Sequence, residues 1–220
     1  MEPERVMTKI DSGKKIVLAG WLLAVTALLG TGLMMIVNSH SKPFIAKNER
    51  LVLLRTLNSV LSPDLYDNDI VNDTLSVVDE KLLGSPNKTT VYRARLESKP
   101  VAAVLQVIAP NGYSGSILLL VGINLSGEIA GVRVVKHKET PGLGDGIEIQ
   151  RSDWIESFTG KSKNDPSYIG WKVKRDGGEF DQFTGATITP RAIVSAVHNA
   201  LIYFEQHQGD LFASKEILTE

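Results

Sequence analysis

The sequence predicts an α+β protein: a single N-terminal transmembrane helix, then an extracytoplasmic domain of antiparallel sheet with flanking helices. Three observations carry that prediction. Ile16 to Val37 runs for 22 residues without a charge, long enough to cross a bilayer as a helix. From Val77 to His137, short apolar or alternating runs are separated by Gly, Pro, Asn and Ser, the pattern of antiparallel strands joined by turns. From Ala192 to Phe204, apolar residues recur at helical spacing.

Composition narrows the function. The chain has 220 residues, with 24 basic and 25 acidic side chains. That length suits one sizeable domain plus an anchor, and the near-neutral charge with no basic stripe argues against nucleic acid as a partner. There are no cysteines. This excludes disulfides, thiolate catalysis and cysteine-ligated zinc or iron–sulfur clusters in this chain. Any redox chemistry therefore has to come from a bound cofactor.

Residues 1–15 are short, polar and charged, and read as a cytoplasmic N-terminus. Residues 16–37 read as the transmembrane anchor. A cleaved secretory signal has an apolar region of about 7–15 residues; this run is longer, and Asn38-Ser39-His40 is a poor cleavage site. Lys14 and Lys15 abut the span, a slight charge bias that places the N-terminus inside and the bulk outside. Residues 38–75 read as a helical linker region. Within it Leu53, Leu54, Leu57 and Leu61 give an amphipathic helix over 49–61, ended by Ser62-Pro63. Tyr66-Asp67-Asn68-Asp69 lacks the glycine and terminal glutamate of a calcium loop and reads as a solvated turn.

Residues 76–208 read as the main domain, with strands at 89–96, 102–108, 117–123 and 129–137. Tyr113, in a glycine-punctuated loop between two of them, either stacks on a ligand or packs on the sheet. A helix is expected over 147–158, with Trp154 and Phe158 on one face. Trp171-Lys172-Val173 reads as a strand and Asp176-Gly177-Gly178 as a hairpin turn. The last helix starts at Pro190, with Thr189 as its N-cap; His198 beside its apolar face reads as structural. Residues 209–220 read as a C-terminal tail.

Two loops carry the chemistry. Thr184-Gly185-Ala186-Thr187, just before the last helix, is small and hydroxyl-rich. A helix N-terminus offers free N–H groups and a positive dipole end, which suits a phosphate; an ordinary capped turn has the same composition. Glu139-Thr140-Pro141-Gly142-Leu143-Gly144 follows a strand end, and its glycines are expected to expose backbone N–H groups. His137 and Glu139 stand at i and i+2, a poor metal-ligand set without a third partner.

Both loops match known motifs. Asp181-x-x-Thr184-Gly185-Ala186-Thr187 resembles the signature of the FMN-binding subunits in bacterial ion-pumping redox complexes, and Glu139-Thr140-Pro141-Gly142-Leu143-Gly144 resembles their second signature. The likeness extends through Val91 to Ala94, Ile117 to Gly122, Gly131 to Gly144, Trp171 to Pro190 and the single span. Within the family it is closest to the G-type component of the Rnf (Rsx) electron transport complex. The C-type component of the sodium-pumping NADH:quinone reductase is the alternative, and its chain is typically longer. A non-redox membrane-anchored binding module is a third reading.

The resemblance implies that Thr187 carries FMN through a phosphoester bond made by a flavin transferase, with Asp181 opening that enzyme's recognition pattern. Thr184, Gly185 and Ala186 would leave room for the phosphate. Glu139, Thr140, Gly142, Leu143 and Gly144 would pack against the flavin, Leu143 supplying apolar contact. The chain would then be an electron carrier with no catalytic site or metal of its own. It would relay electrons between ferredoxin- and NAD-linked partners, coupled to ion translocation, or keep a redox-sensing transcription factor reduced in some bacteria. Its partners would be the other members of the complex, a second FMN protein and iron–sulfur proteins among them. It would sit in the bacterial inner membrane, with its bulk in the periplasm.

Overall fold

The computed structural model of the chain describes residues 4–213, without the side chains of 4–12, 43 and 46. The first residues of the predicted N-terminal segment and most of the predicted tail lie outside this range. The chain divides into two compact units, residues 1–51 and 52–220.

The described part of the first unit, residues 4–51, lies within helix α1, Glu4–Asn58. From Gly13 onward α1 contains a stretch long and apolar enough to cross a membrane, with a mean hydropathy of 2.1 over 18 residues. Its large apolar side chains between Ile16 and Val37 are exposed, as a lipid-facing surface requires. The amphipathic helix expected over 49–61 is not a separate element but the last turns of α1. No glycine falls between Gly32 and Gly84 to stop the helix earlier.

The second unit is built on five strands: β1 (Thr74–Asp79), β2 (Ser85–Leu96), β3 (Lys99–Gly112), β4 (Gly115–Asn124) and β5 (Ile129–Lys136). They pair in sequence order, each antiparallel to the next. A one-turn helix α2 (Glu80–Leu83) bridges β1 and β2. The sheet is apolar on both faces, as the unbroken runs in β3 and β4 require.

One face packs against the terminal helix α3 (Ile188–Phe212), which buries Ile193, Val197, Ala200, Leu201 and Phe204. Each large apolar side chain buried there contributes about 1.5–3 kcal/mol of transfer free energy. The opposite face is covered by Leu57, Val60, Leu61 and Ile70, set against Ala94, Ala102, Val104 and Leu120. Val60 lies directly on a cross-strand pair of glycines, Gly122 and Gly131. A Cβ at either would come within 2.7 Å of a Val60 atom, so side chains there would lift this layer off the sheet.

Beyond β5 the expected helix over 147–158 is replaced by two 3₁₀ stretches, Asp145–Ile147 and Asp153–Phe158. Ser152 is the cause: its hydroxyl donates to the Gly146 carbonyl at 2.6 Å and accepts the Trp154 N–H at 3.3 Å. It thereby competes with the helical ladder and caps a new start. Trp154 and Phe158 still meet edge to face, 5.3 Å between centroids. Trp171–Val173 is not a sheet strand; Val173 makes a single bridge to Phe180. The expected hairpin turn is a 3₁₀ turn, Lys174–Asp176, closed by Gly177 at φ 85°. Phe158, Trp171 and Phe180 form one aromatic cluster, and His198 stacks on Trp171 at 5.0 Å. Burial lowers the pKa of His198, whose structural role is that of a packed neutral ring.

Candidate functional site

Three segments meet at one end of the sheet around a cavity of about 220 Å³. The β3–β4 hairpin tip brings Tyr113. The loop after β5 brings Glu139, Thr140, Leu143 and Gly144. The start of α3 brings Gly185, Ala186, Thr187, Ile188 and Thr189.

The loop before α3 is positioned by Trp154, whose indole Nε1–H donates to the Asp181 carbonyl at 2.8 Å. The Trp154 ring also meets Phe183 at 5.3 Å. The chain then turns through Gly185, at φ 79°, a conformation that favours glycine. Thr187 stands at the N-cap position of α3, half-buried, and its side chain makes no cap bond. Thr187 lines the cavity, and its Oγ1 accepts a hydrogen bond from Nη1 of Arg175 at 3.4 Å.

Thr189 is not the N-cap that its place before Pro190 suggested. It is fully buried, one residue inside the helix, and its hydroxyl donates to Glu139 Oε2 at 2.5 Å. The other Glu139 oxygen accepts the Ser114 N–H at 3.0 Å. A buried carboxylate needs such donors, because an unpaired one carries a large desolvation cost. Glu139 thus ties together the hairpin tip, its own loop and the start of α3. His137 supports it from behind: its Nδ1 accepts the Glu139 N–H at 3.0 Å, and its Nε2 lies 2.6 Å from Glu148. Among the described residues no group of His, Asp and Glu could hold a metal ion.

The Glu139–Gly144 loop differs from expectation in one respect. Its amides do not face outward: the Gly142 N–H donates to Asp145 Oδ1 at 2.7 Å, and those of Leu143 and Gly144 donate to the Thr140 carbonyl. The loop is folded on itself, so polarity on this wall comes from the Glu139 and Thr140 side chains. Leu143, Tyr113 and Ile188 are 51%, 70% and 45% exposed. These are exposed apolar surfaces among the lining residues. Tyr113 therefore does not pack on the sheet.

Of the residues singled out from sequence, Thr187, Gly185, Ala186, Glu139, Thr140, Leu143 and Gly144 line the cavity. Thr184 and Gly142 are exposed beside it. Asp181 lies apart, exposed and paired with Lys174 at 2.7 Å. Sequence reasoning missed Ile188, Thr189 and Arg175. Their contacts close only in the fold, and local spacing carries no signal for them.

Residues 112–202 match the FMN-binding domain family, and residues 7–60 match the RnfG N-terminal region. A protein of Pseudomonas aeruginosa, named as the G subunit of an ion-translocating oxidoreductase complex, is 48% identical over 195 residues, covering 89% of this chain and 91% of the relative. Relatives of the same name are 48% identical in Erwinia tasmaniensis and 44% in Shewanella oneidensis, covering 87% and 88% of this chain and 91% and 92% of each relative. Two apposed family motifs, a cavity with an apolar rim and a hydroxyl at its edge, and these likenesses along most of the chain agree: it belongs to the family of G subunits of ion-translocating oxidoreductase complexes and carries that family's FMN-binding domain.

Proposed function

We propose that this chain is the electron-carrying FMN protein of a membrane-bound redox complex that couples electron flow to ion translocation, with FMN joined to Thr187 through a phosphoester. The observation that carries the reading is the placement of Thr187, which lines the cavity and stands at the positive end of α3. That end favours an anion.

The residues present fit the group. FMN supplies the redox centre when bound, and the protein supplies tethering, orientation and surroundings. Thr187 contributes the ester oxygen. Tyr113, Leu143 and Ile188 offer apolar surface to the isoalloxazine, and Glu139 and Thr140 offer polar atoms to its edge. Gly185 and Ala186 keep the approach to Thr187 open, with Thr184 beside them. A cavity of about 220 Å³ is smaller than the roughly 300 Å³ or more that encloses most ligands. It would hold part of the flavin and leave the rest at the surface. That suits a carrier, since partners must come close to exchange electrons.

The remaining assignments follow from this reading. Residues 16–37 anchor the chain in the bacterial inner membrane, residues 38–75 link the anchor to the carrier domain over 76–208, and the bulk lies in the periplasm. Asp181, exposed at the head of the loop, is the recognition point for a flavin transferase. The partners are the other members of the complex, including a second FMN protein and iron–sulfur proteins. Electrons pass between ferredoxin- and NAD-linked members.

The test uses the full chain made in cells that also express a flavin transferase. A denaturing gel under ultraviolet light should show a fluorescent band for the wild-type chain and for Thr187→Ser, and none for Thr187→Val. Equal fluorescence from Thr187→Val would remove the tether from Thr187.

A further inference from the structure

We propose that Arg175 is the phosphate-receiving side chain of this site, a positive charge held beside the Thr187 hydroxyl by the turn Lys174–Asp176. The proposal rests on the FMN reading of Thr187 and deepens it.

The geometry begins with the 3.4 Å hydrogen bond from Arg175 Nη1 to Thr187 Oγ1. All three residues of the turn are tied to the segment that carries Thr187. Lys174 Nζ reaches Asp181 Oδ1 at 2.7 Å. The Arg175 backbone N–H donates to Gln182 Oε1 at 3.2 Å. Asp176 receives two bonds from Arg191, at 2.6 and 2.9 Å. The backbone beneath Arg175 is thus fixed both to the loop before Thr187 and to the helix after it.

Hydrogen-bonded charge pairing sets Arg175 apart from Lys174 and Arg191. Lys174 and Arg191 each have a carboxylate partner. The guanidinium of Arg175 is hydrogen-bonded to a neutral hydroxyl. That is a weak use of a group whose donors match the oxygens of phosphate and whose bonds strengthen against an anion. A phosphodiester on Thr187 would carry one negative charge, with its free oxygens two bonds from Oγ1, within reach of a guanidinium that already contacts that atom. Asp176 is the nearby anion that would oppose this; Arg191 pairs with it directly, and the charges of Arg175 and Lys172 also act on it. The hydrogen bond from Arg191 holds the Asp176 carboxyl below the usual range.

Such a charge acts on the phosphate and not on the flavin ring, and this defines the experiment. Full-length protein is made without the transferase and titrated with FMN and with riboflavin. Arg175→Gln should weaken FMN roughly three- to tenfold, the range for a screened charge-assisted contact, and leave riboflavin unchanged. Arg175→Lys should keep part of the preference. Added salt should erode the preference in the wild-type chain and not in Arg175→Gln. Equal weakening of both ligands would make Arg175 a merely structural residue and overturn the proposal, as would no weakening of either.

A second measurement decides the matter if the unmodified protein binds neither ligand. In flavinylated protein, the ³¹P resonance of the diester should move on Arg175→Gln and be partly restored by Arg175→Lys. An unmoved resonance overturns the proposal. Failure of the underlying reading looks different: the peptide holding Thr187 would carry no FMN even in the wild-type chain, whatever the Arg175 variants do.

Discussion

Thr189 Oγ1 and Glu139 Oε2 are 2.5 Å apart, a buried hydrogen bond between residues 50 positions distant in the chain. It closes the wall of the cavity between the loop after β5 and the start of α3. Thr189→Val keeps the shape of the side chain and removes the donor, leaving the carboxylate with one partner fewer. The expected cost is about 1–3 kcal/mol, read as a lower midpoint in urea unfolding of the detergent-purified chain. Thr189→Ser restores the donor and should stay within about 1 kcal/mol of the wild-type protein. Equal behaviour of the valine and serine variants would mean that the bond adds nothing to stability.

Gly144 reports on the same contact from the side. A Cβ there would lie 2.7 Å from Glu139 Oε2 and 3.2 Å from Thr189 Oγ1. Gly144→Ala should therefore displace the carboxylate and cost about 1–3 kcal/mol, the usual penalty of overpacking. In flavinylated protein it should also shift the flavin absorption bands, because the polar edge of the cavity moves. An unshifted spectrum together with unchanged stability would show that the loop yields freely.

His198 gives the stability a pH dependence of definite sign. Burial against Trp171 lowers its pKa, an effect reinforced by the charge of Lys163 and opposed by a hydrogen bond with the Lys163 backbone. The folded state thus binds its proton less readily than the unfolded state, whose histidine titrates near about 6.5. Between those two values the unfolded state holds more protons, so stability rises with pH. This contribution is complete above about pH 6.5 and declines as the solution is acidified below it. Melting temperature should therefore fall as the pH is lowered from about 7.5 to about 5.5, and fall less in His198→Phe. A variant with the full wild-type slope would mean that other groups set it.

The parts of this protein that were legible in the sequence are those fixed by local patterning. The uncharged run 16–37, the alternating or apolar strands and the helical period after Pro190 each reflect which surface a segment must bury. The resemblance of two motifs to known signatures, not spacing, drew attention to Thr187 and the Glu139–Gly144 loop, which the fold brings to one cavity. What the sequence hid was decided by partners far away. Thr189 has the composition of a cap, yet a buried carboxylate from another loop takes its hydroxyl. Ser152 looks like one polar residue within a helix, but its bonds to Gly146 and Trp154 divide the segment into two 3₁₀ stretches. The glycines after Thr140 suggested open amides, and Asp145 and the Thr140 carbonyl consume them. Arg175 reaches Thr187 across 12 residues only because the Lys174–Asp176 turn folds back on the motif.

The central claim is that Thr187 carries FMN as a phosphoester. The most direct measurement is mass spectrometry of the intact chain and of its peptides, after expression with a flavin transferase. A phosphoester at Thr187 predicts the mass of one FMN, less one water, on the peptide holding that residue, and no added mass in Thr187→Val. An unmodified Thr187 peptide from wild-type protein under those conditions, or the same added mass on another residue, would contradict it.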